Sequence, residues 1–210
     1  MTAKVITVAQ QKGGAGKTTL LAQLAVAWAV EGRKVAVVDI DPQGSLAAWL
    51  EVRRNGAGDG SIDGGAISAW RLGSTLRSLA RDHDLILIDS PPHAATEAKV
   101  AIRGADLVLV PCQPSRLDLW ATRPTVELAE SEGRPFRIVL SRVPARGRLG
   151  DDARRAMAQD GLPLLDASLG NRVAFAHSMG DGRGVCEVVP RGPAALEVRA
   201  VAAAVEQALA

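Results

Sequence analysis

The residues with the most chemical content lie in one run of nine, Gln11-Lys12-Gly13-Gly14-Ala15-Gly16-Lys17-Thr18-Thr19. Three glycines let the backbone curl so that its N–H groups point inward at an anion. Lys17 is placed to reach the β- and γ-phosphates of a nucleotide, and the Thr18 hydroxyl to ligate Mg²⁺. The strict spacing G-x-x-x-x-G-K-[ST] would need glycine at position 11, where this chain has Gln11. The physical arrangement is intact nonetheless: an apolar run, Val5 to Ala9, feeds the loop, and a helix opens at about Gly16. Lys12 is a second cation inside the loop. The phosphates already have Lys17, so Lys12 is free to point away, towards a second copy of the molecule. A solvated lysine is the bland alternative.

Two carboxylates end apolar strands. Asp89 closes Leu85-Ile86-Leu87-Ile88, a run with the continuity of a strand buried on both faces. Ligands bind at that edge of an open parallel sheet, so Asp89 points to Mg²⁺, reached through water; a helix-capping aspartate is the alternative. Asp39 and Asp41 lie two residues apart, on one side of the chain if the strand continues, and Pro42 stops it. Spacing alone does not assign which of them serves the metal and which the attacking water.

The elements needed to position these groups follow from the apolar pattern. Strands are expected near 4–10, 34–39, 84–89, 106–111 and 136–141. Helices are expected near 16–32, 44–54, 73–82, 94–103, 116–132, 149–159 and 193–209. Leu20, Leu21, Leu24, Ala25 and Trp28 give the first helix a packed face. Extended pieces near 66–71 and 162–166 read as edge strands, and residues 55–65 as a flexible polar loop. Alternation of strand and helix predicts an α/β fold, a single-domain P-loop NTPase spanning 1–210, with a mostly parallel twisted sheet and helices on both faces.

With these residues in place, the chain resembles the ParA/MinD-type ATPases. Lys12-Gly-Gly-Ala-Gly-Lys17-Thr18 is similar to their deviant Walker A motif, KGGxGK[ST]. Asp39-Ile40-Asp41-Pro42-Gln43 resembles their D-x-D-P-Q segment, and Leu85 to Pro92 their Walker B strand. Ala105 to Ser115, Asp118-Leu119-Trp120-Ala121, Asn171 to Phe175 and Val189 to Gly192 continue the likeness, closest to small ParA proteins of the ParF kind. The resemblance implies ATP and Mg²⁺ as cofactors and weak ATP hydrolysis stimulated by a ParB-like or adaptor protein. It implies nucleotide contacts from Lys12, Gly13, Gly14, Ala15, Gly16, Lys17, Thr18 and Thr19, and a Lys12 that reaches the nucleotide of the partner in an ATP-bound homodimer. Asp41 becomes the residue that orients water, and Thr18, Asp39 and Asp89 the metal group. Arg142 and Pro190 are the adenine candidates. Non-specific DNA binding is implied, with Arg172 and Arg191 as contacts and Arg146, Arg148, Arg154 and Arg155 as a further patch.

Composition narrows the function classes. The chain has 210 residues, 47% hydrophobic but only 3% aromatic, so aliphatic side chains must fill its core. Net charge is +2. Residues 134–210 carry 11 Arg, no Lys and 8 Asp+Glu, against 14 Lys+Arg and 15 Asp+Glu before them. Arginine suits phosphate contact; a GC-rich genome would explain it equally. Cys112 and Cys186 lack metal spacing and read as small buried hydrophobes, which also disfavours an iron–sulfur relative. His83, His93 and His177 read as ordinary surface or loop residues. No signal peptide, N-terminal helix-turn-helix or membrane span is expected. The last helix has one basic residue, Arg199, and no Phe or Trp, so a MinD-like membrane role is disfavoured. The expectation is a cytoplasmic, nucleoid-associated ATPase that segregates or positions a plasmid, a chromosome or a protein assembly. The alternatives are a MinD-like positioning ATPase at the membrane, and a metabolic ATP-dependent enzyme on the same fold.

Overall fold

Leu85 and Leu87 turn to one face of the sheet, and Ile86 and Ile88 to the other. Strand β4 (Leu85–Asp89) is therefore buried on both sides, as are β2 (Val35–Asp39) and β5 (Leu107–Cys112). With β1 (Lys4–Val8), β3 (Ile62–Ala66) and β6 (Phe136–Leu140) they form a parallel six-stranded sheet of order β3-β2-β4-β1-β5-β6. The computed structural model describes residues 3–56, 61–92 and 95–210, with the side chain of Ala95 excepted.

One face of the sheet is covered by α1 (Lys17–Val30), α2 (Ser45–Asn55), α7 (Val173–Gly180), α8 (Val185–Val188) and α9 (Pro193–Leu209). The other carries α3 (Leu72–Leu79), α4 (Ala95–Arg103), α5 (Arg116–Ser131) and α6 (Leu149–Gln159) in two apolar clusters. Helix α1 is buried well beyond the stripe that its spacing predicts. Ala22, Gln23, Val26 and Ala27 are covered as well, because α7, α8 and α9 close over its outer side. Gln23 is the polar pin of that closure: its Oε1 accepts from the Val185 N–H at 2.8 Å and its Nε2 donates to the Ser178 hydroxyl at 3.0 Å. Gly184 permits the approach, since a Cβ there would lie 2.6 Å from Val26. Helix α9 spends Val198, Val201 and Val205 on this packing, as the sequence predicts for a closing helix, and leaves Leu196 exposed. Among the described residues no helix is long and apolar enough to cross a membrane.

Three expectations are corrected. The span 55–65 is not all loop, because Ile62–Ala66 pairs with β2 as the sheet's edge strand. The span 66–71 is not an edge strand; it leads into a 3-10 turn, Ala69–Arg71, and α3. Residues 162–166 contribute one isolated bridge, Ile138 with Leu164. His83 lies in the loop between α3 and β4. Its side chain is mostly covered, with Nδ1 2.9 Å from the Leu79 carbonyl and Nε2 3.1 Å from Asp63. His93 lies outside the described residues, and His177 is exposed on α7. Both cysteines are buried, and burial pushes the Cys112 thiol up to about 11, so it is unreactive at neutral pH.

Candidate nucleotide-binding site

Strand β1 lies between β4 and β5, so the loop that follows it emerges at the carboxyl edge of the sheet's centre. Gly14 and Gly16 take left-handed φ values of 73° and 92°, conformations that L side chains rarely adopt. Helix α1 begins at Lys17, with the Gly16 carbonyl accepting the Leu20 N–H at 2.9 Å. Its unpaired first-turn amides and the loop amides make an anion cradle. The loop is braced from several strand ends. The Ser141 hydroxyl donates to the Ala15 carbonyl (3.4 Å) and Gln113 Nε2 to the Gly14 carbonyl (3.4 Å). Gln10, which the sequence reading passed over, is buried and accepts the Lys12 N–H (3.2 Å) and the Thr125 hydroxyl (3.3 Å), while its amide donates to the Pro111 carbonyl (3.2 Å).

Lys17 is buried beside the carboxylates. Burial pushes its ammonium below the usual lysine range, while Asp89 and Asp41 push back. Asp39 and Asp89 are neighbours in the β2–β4 register. Their roles differ in the geometry. Asp39 gives both oxygens to backbone amides, Oδ1 to Asp41 (3.0 Å) and Oδ2 to Ala47 in the first turn of α2 (2.9 Å). It shapes the loop that carries Asp41. Burial raises its carboxyl nonetheless, against those hydrogen bonds. Asp89 accepts the Thr18 hydroxyl on Oδ2 at 2.6 Å, and its Oδ1 is buried with no partner. Burial raises the Asp89 carboxyl to about 7. An orphaned carboxylate oxygen beside a hydroxyl is a hard donor pair that fits a small divalent cation, and Mg²⁺ is commonly held by one or two carboxylates with phosphates and waters completing its shell. Asp41 is half-buried and accepts the Gln43 N–H at 3.0 Å.

Lys12 does not turn to the phosphate cradle of its own chain. Its Nζ lies 2.7 Å from Asp118 Oδ1, with 40% of the lysine side chain exposed. Asp118 is fixed in turn by Ser115 at the start of α5, whose hydroxyl donates to the other carboxylate oxygen and whose Oγ accepts the Asp118 N–H at 3.1 Å. The sequence offered a signal for this, since Ser115-x-x-Asp118 is a helix-start pattern. The pairing with Lys12, 106 residues away, was not readable.

The remaining candidates are dispersed. Arg142 is exposed with φ 52°, one residue beyond the Ser141 contact to the loop. Pro190 is exposed in the turn between α8 and α9, and its carbonyl accepts from Arg199. Arg172 is tied to Glu197 through Nε and Nη2, at 2.6 Å for the shortest contact, and Glu197 also accepts the Gly170 N–H. Arg191, Arg146 and Arg148 are exposed. Arg154 is engaged with Ser168 and Arg155 with Asp152. Arg172→Ala is expected to cost about 1 kcal/mol in thermal unfolding, since the pair is half-screened by solvent; a variant as stable as the parent would remove Glu197 as a structural anchor.

Residues 6–185 match the model of the CobQ/CobB/MinD/ParA nucleotide binding domain. The chain is 34% identical over 201 residues to the maintenance of carboxysome distribution protein A of Gloeobacter kilaueensis, covering 94% of this chain and 89% of that one. Its counterpart in Halothiobacillus neapolitanus is 29% identical, with 91% of each chain covered. An uncharacterized Mycobacterium tuberculosis protein is 54% identical over 146 residues, which span 70% of this chain and 37% of that protein. In fold, the chain superposes on Pyrococcus horikoshii MinD complexed with Mg-ADP at a TM-score of 0.81 and 23% identity, covering 98% of this chain and 96% of that one. With the phosphate loop, the Thr18–Asp89 pair and the outward lysine all present in one matched domain, the chain belongs to the ParA/MinD family of nucleotide-binding proteins.

Proposed function

We propose that this chain is an ATP-driven switch that dimerises when ATP-bound, binds DNA non-specifically in that state and positions a cargo. The observation that carries the reading is the direction of Lys12. It sits inside the phosphate loop yet is spent on the mostly buried Asp118 rather than on its own cradle, and its side chain stays 40% exposed, open to a second subunit. In this reading Lys17 and the loop amides hold the phosphates, Asp41 orients the attacking water, and Lys12 stabilises charge on the partner's nucleotide. Thr18 and Asp89 would hold Mg²⁺, which neutralises the β- and γ-phosphate oxygens when bound. The names of the carboxysome-distribution relatives favour a large protein assembly as cargo. Exposed Arg146, Arg148 and Arg191 are the arginines available for DNA, whereas Arg172 would have to leave Glu197 first. A partner protein would stimulate hydrolysis and release the dimer into the cytoplasm.

Light scattering with ATP, ADP and no nucleotide, combined with DNA binding across a salt series, tests the reading. ATP alone should double the mass, and DNA affinity should fall steeply with salt. ATP that produces neither effect overturns it. Lys12 must also leave Asp118 before it can cross to a partner. The pair joins a lysine side chain 40% exposed to an aspartate side chain 11% exposed and, with the lysine end screened by solvent, is worth about 1 kcal/mol, so Asp118→Asn should lower the ATP concentration needed for dimerisation by about threefold to fivefold. An unchanged or raised threshold would mean that Asp118 does not compete for the lysine.

A further inference from the structure

The nucleotide site is carried on two helices, α1 and α2, and a mostly buried ion pair ties α2 to the cover of α1. Helix α2 begins at the site: the Ala47 N–H in its first turn donates to Asp39, and the Gly44 N–H just before it donates to the Asp41 carbonyl at 2.9 Å. About 9 Å further along the axis, α2 carries Arg53, which is 3% exposed. Its guanidinium forks onto Glu187 of α8, with Nη2 2.7 Å from Oε1 and Nη1 3.0 Å from Oε2. Nη1 also donates to the Gly182 carbonyl at 3.3 Å, and the guanidinium lies 5.8 Å from the centroid of the Trp49 ring.

Glu187 belongs to the other arm. Its Oε2 also accepts the Gly184 N–H at 3.0 Å, at the turn where Gly184 packs on Val26 and the Val185 N–H meets Gln23, both of α1. Helix α1 begins with Lys17 and Thr18. The junction has no slack, since a Cβ on Gly182 would lie 2.4 Å from the Arg53 amide nitrogen. The rest of α2 is held by the apolar contacts of Leu46, Trp49 and Leu50. Such contacts set its depth in the core but resist a small slide or roll weakly, because they are not directional. A bidentate guanidinium–carboxylate pair fixes distance and orientation together. Stability does not require such a pair, since apolar groups of similar volume often serve as well; what it adds is geometry.

We propose that Arg53 and Glu187 are a positioning pair for hydrolysis: they fix α2 against the cover of α1, and so fix Asp41 relative to the phosphates held by Lys17 and the loop amides. Both act through α2 rather than on the nucleotide. Phosphate binding depends on the loop and first turn of α1, and survives the loss of the pair. The placement of the attacking water depends on the separation of the two helices, and does not survive it. A displacement of about 1 Å can cost about 100-fold in rate. The inference rests on the proposed ATPase activity, with Asp41 orienting the water.

The test uses the full chain with two variants. Arg53→Met/Glu187→Gln removes both charges and keeps an acceptor for the Gly184 N–H; Arg53→Lys keeps the charge and loses the fork. In both, ATP turnover at saturation should fall at least about tenfold, while the Kd for Mg-ADP stays within about threefold of the parent's, as binding at an intact cradle requires. Amide exchange gives a reading independent of turnover. The Asp41 and Ala47 N–H groups, both bonded to Asp39, should exchange at least about fivefold faster in both variants, and the Leu20 N–H of α1 at the parent's rate. A smaller loss of turnover overturns the proposal. So does a loss matched in Kd or in Leu20 exchange, which means that the whole site has loosened. If the double variant does not fold, Arg53→Lys decides by the same limits. A parent chain that hydrolyses no ATP counts against the proposed function, and exchange at Asp41 and Ala47 still decides whether the pair holds α2.

Discussion

Lys17→Ala is expected to raise the Kd for ATP by at least about 100-fold, whereas Lys12→Ala should leave it within about threefold and abolish the ATP-dependent dimer. The difference follows from where the two ammonium groups lie. Lys17 is buried against Asp89 and Asp41. Without it, bound phosphates face two carboxylates with no buried cation between, and losing one partner of a buried charge group costs about 2–5 kcal/mol, which covers a 100-fold loss. Lys12 is half in solvent and spent on Asp118, so its removal takes little from the phosphate cradle of its own chain. Calorimetric titration with ATP and light scattering on the same samples separate the two effects. Equal loss of ATP affinity in both variants would remove the trans role from Lys12 and with it the main support for the switch.

The second large effect is one of stability. Asp89→Asn is expected to make the nucleotide-free protein more stable at pH 8 by about 2–4 kcal/mol, while abolishing Mg²⁺-dependent nucleotide binding. Burial raises the Asp89 carboxyl from 3.8 to about 7. The folded chain therefore keeps a proton that the unfolded chain releases over that interval. Above about pH 7 the buried carboxylate opposes folding in full. The penalty shrinks as pH falls and is gone below about pH 4. At ~1.4 kcal/mol per pH unit, the interval sets an upper bound of about 4 kcal/mol. An amide removes the charge, and the Thr18 hydroxyl can rotate to accept from it. For a chain of this length the gain corresponds to a rise in Tm of roughly 5–15 °C. Scanning calorimetry in chelator at pH 8 and pH 4.5 reads it directly. An Asp89→Asn protein no more stable than the parent at pH 8 would show that the carboxylate is already solvated or paired.

The chemistry of the phosphate loop was readable because its parts are local. A strand, three glycines, Lys17-Thr18 and a helix follow one another in the chain, and Asp89 ends an apolar run whose type admits one interpretation. What failed was decided by contacts distant in sequence. β3 contains Gly64 and Gly65, residues that argue for a loop, yet the open edge of β2 recruits it. α7 and α8 are short and flanked by glycine, and they exist because α1 offers an apolar side to cover. The burial of Gln23 is the same contact seen from the other partner. Asp118 was legible as a helix-start residue, but its ion pair with Lys12 depends on β5 placing α5 against the loop.

The closure of α7, α8 and α9 over α1 has a consequence for biosynthesis. The helix that follows the phosphate loop is complete by residue 30, but its outer cover comes from residues 173–209. While the chain is still on the ribosome, Val26 and Trp28 have no lid and Gln23 no partner. The loop that reads the nucleotide is therefore among the first segments made and among the last to be locked in place. Until then the uncovered helix is a sticky surface open to chaperones and to other nascent chains.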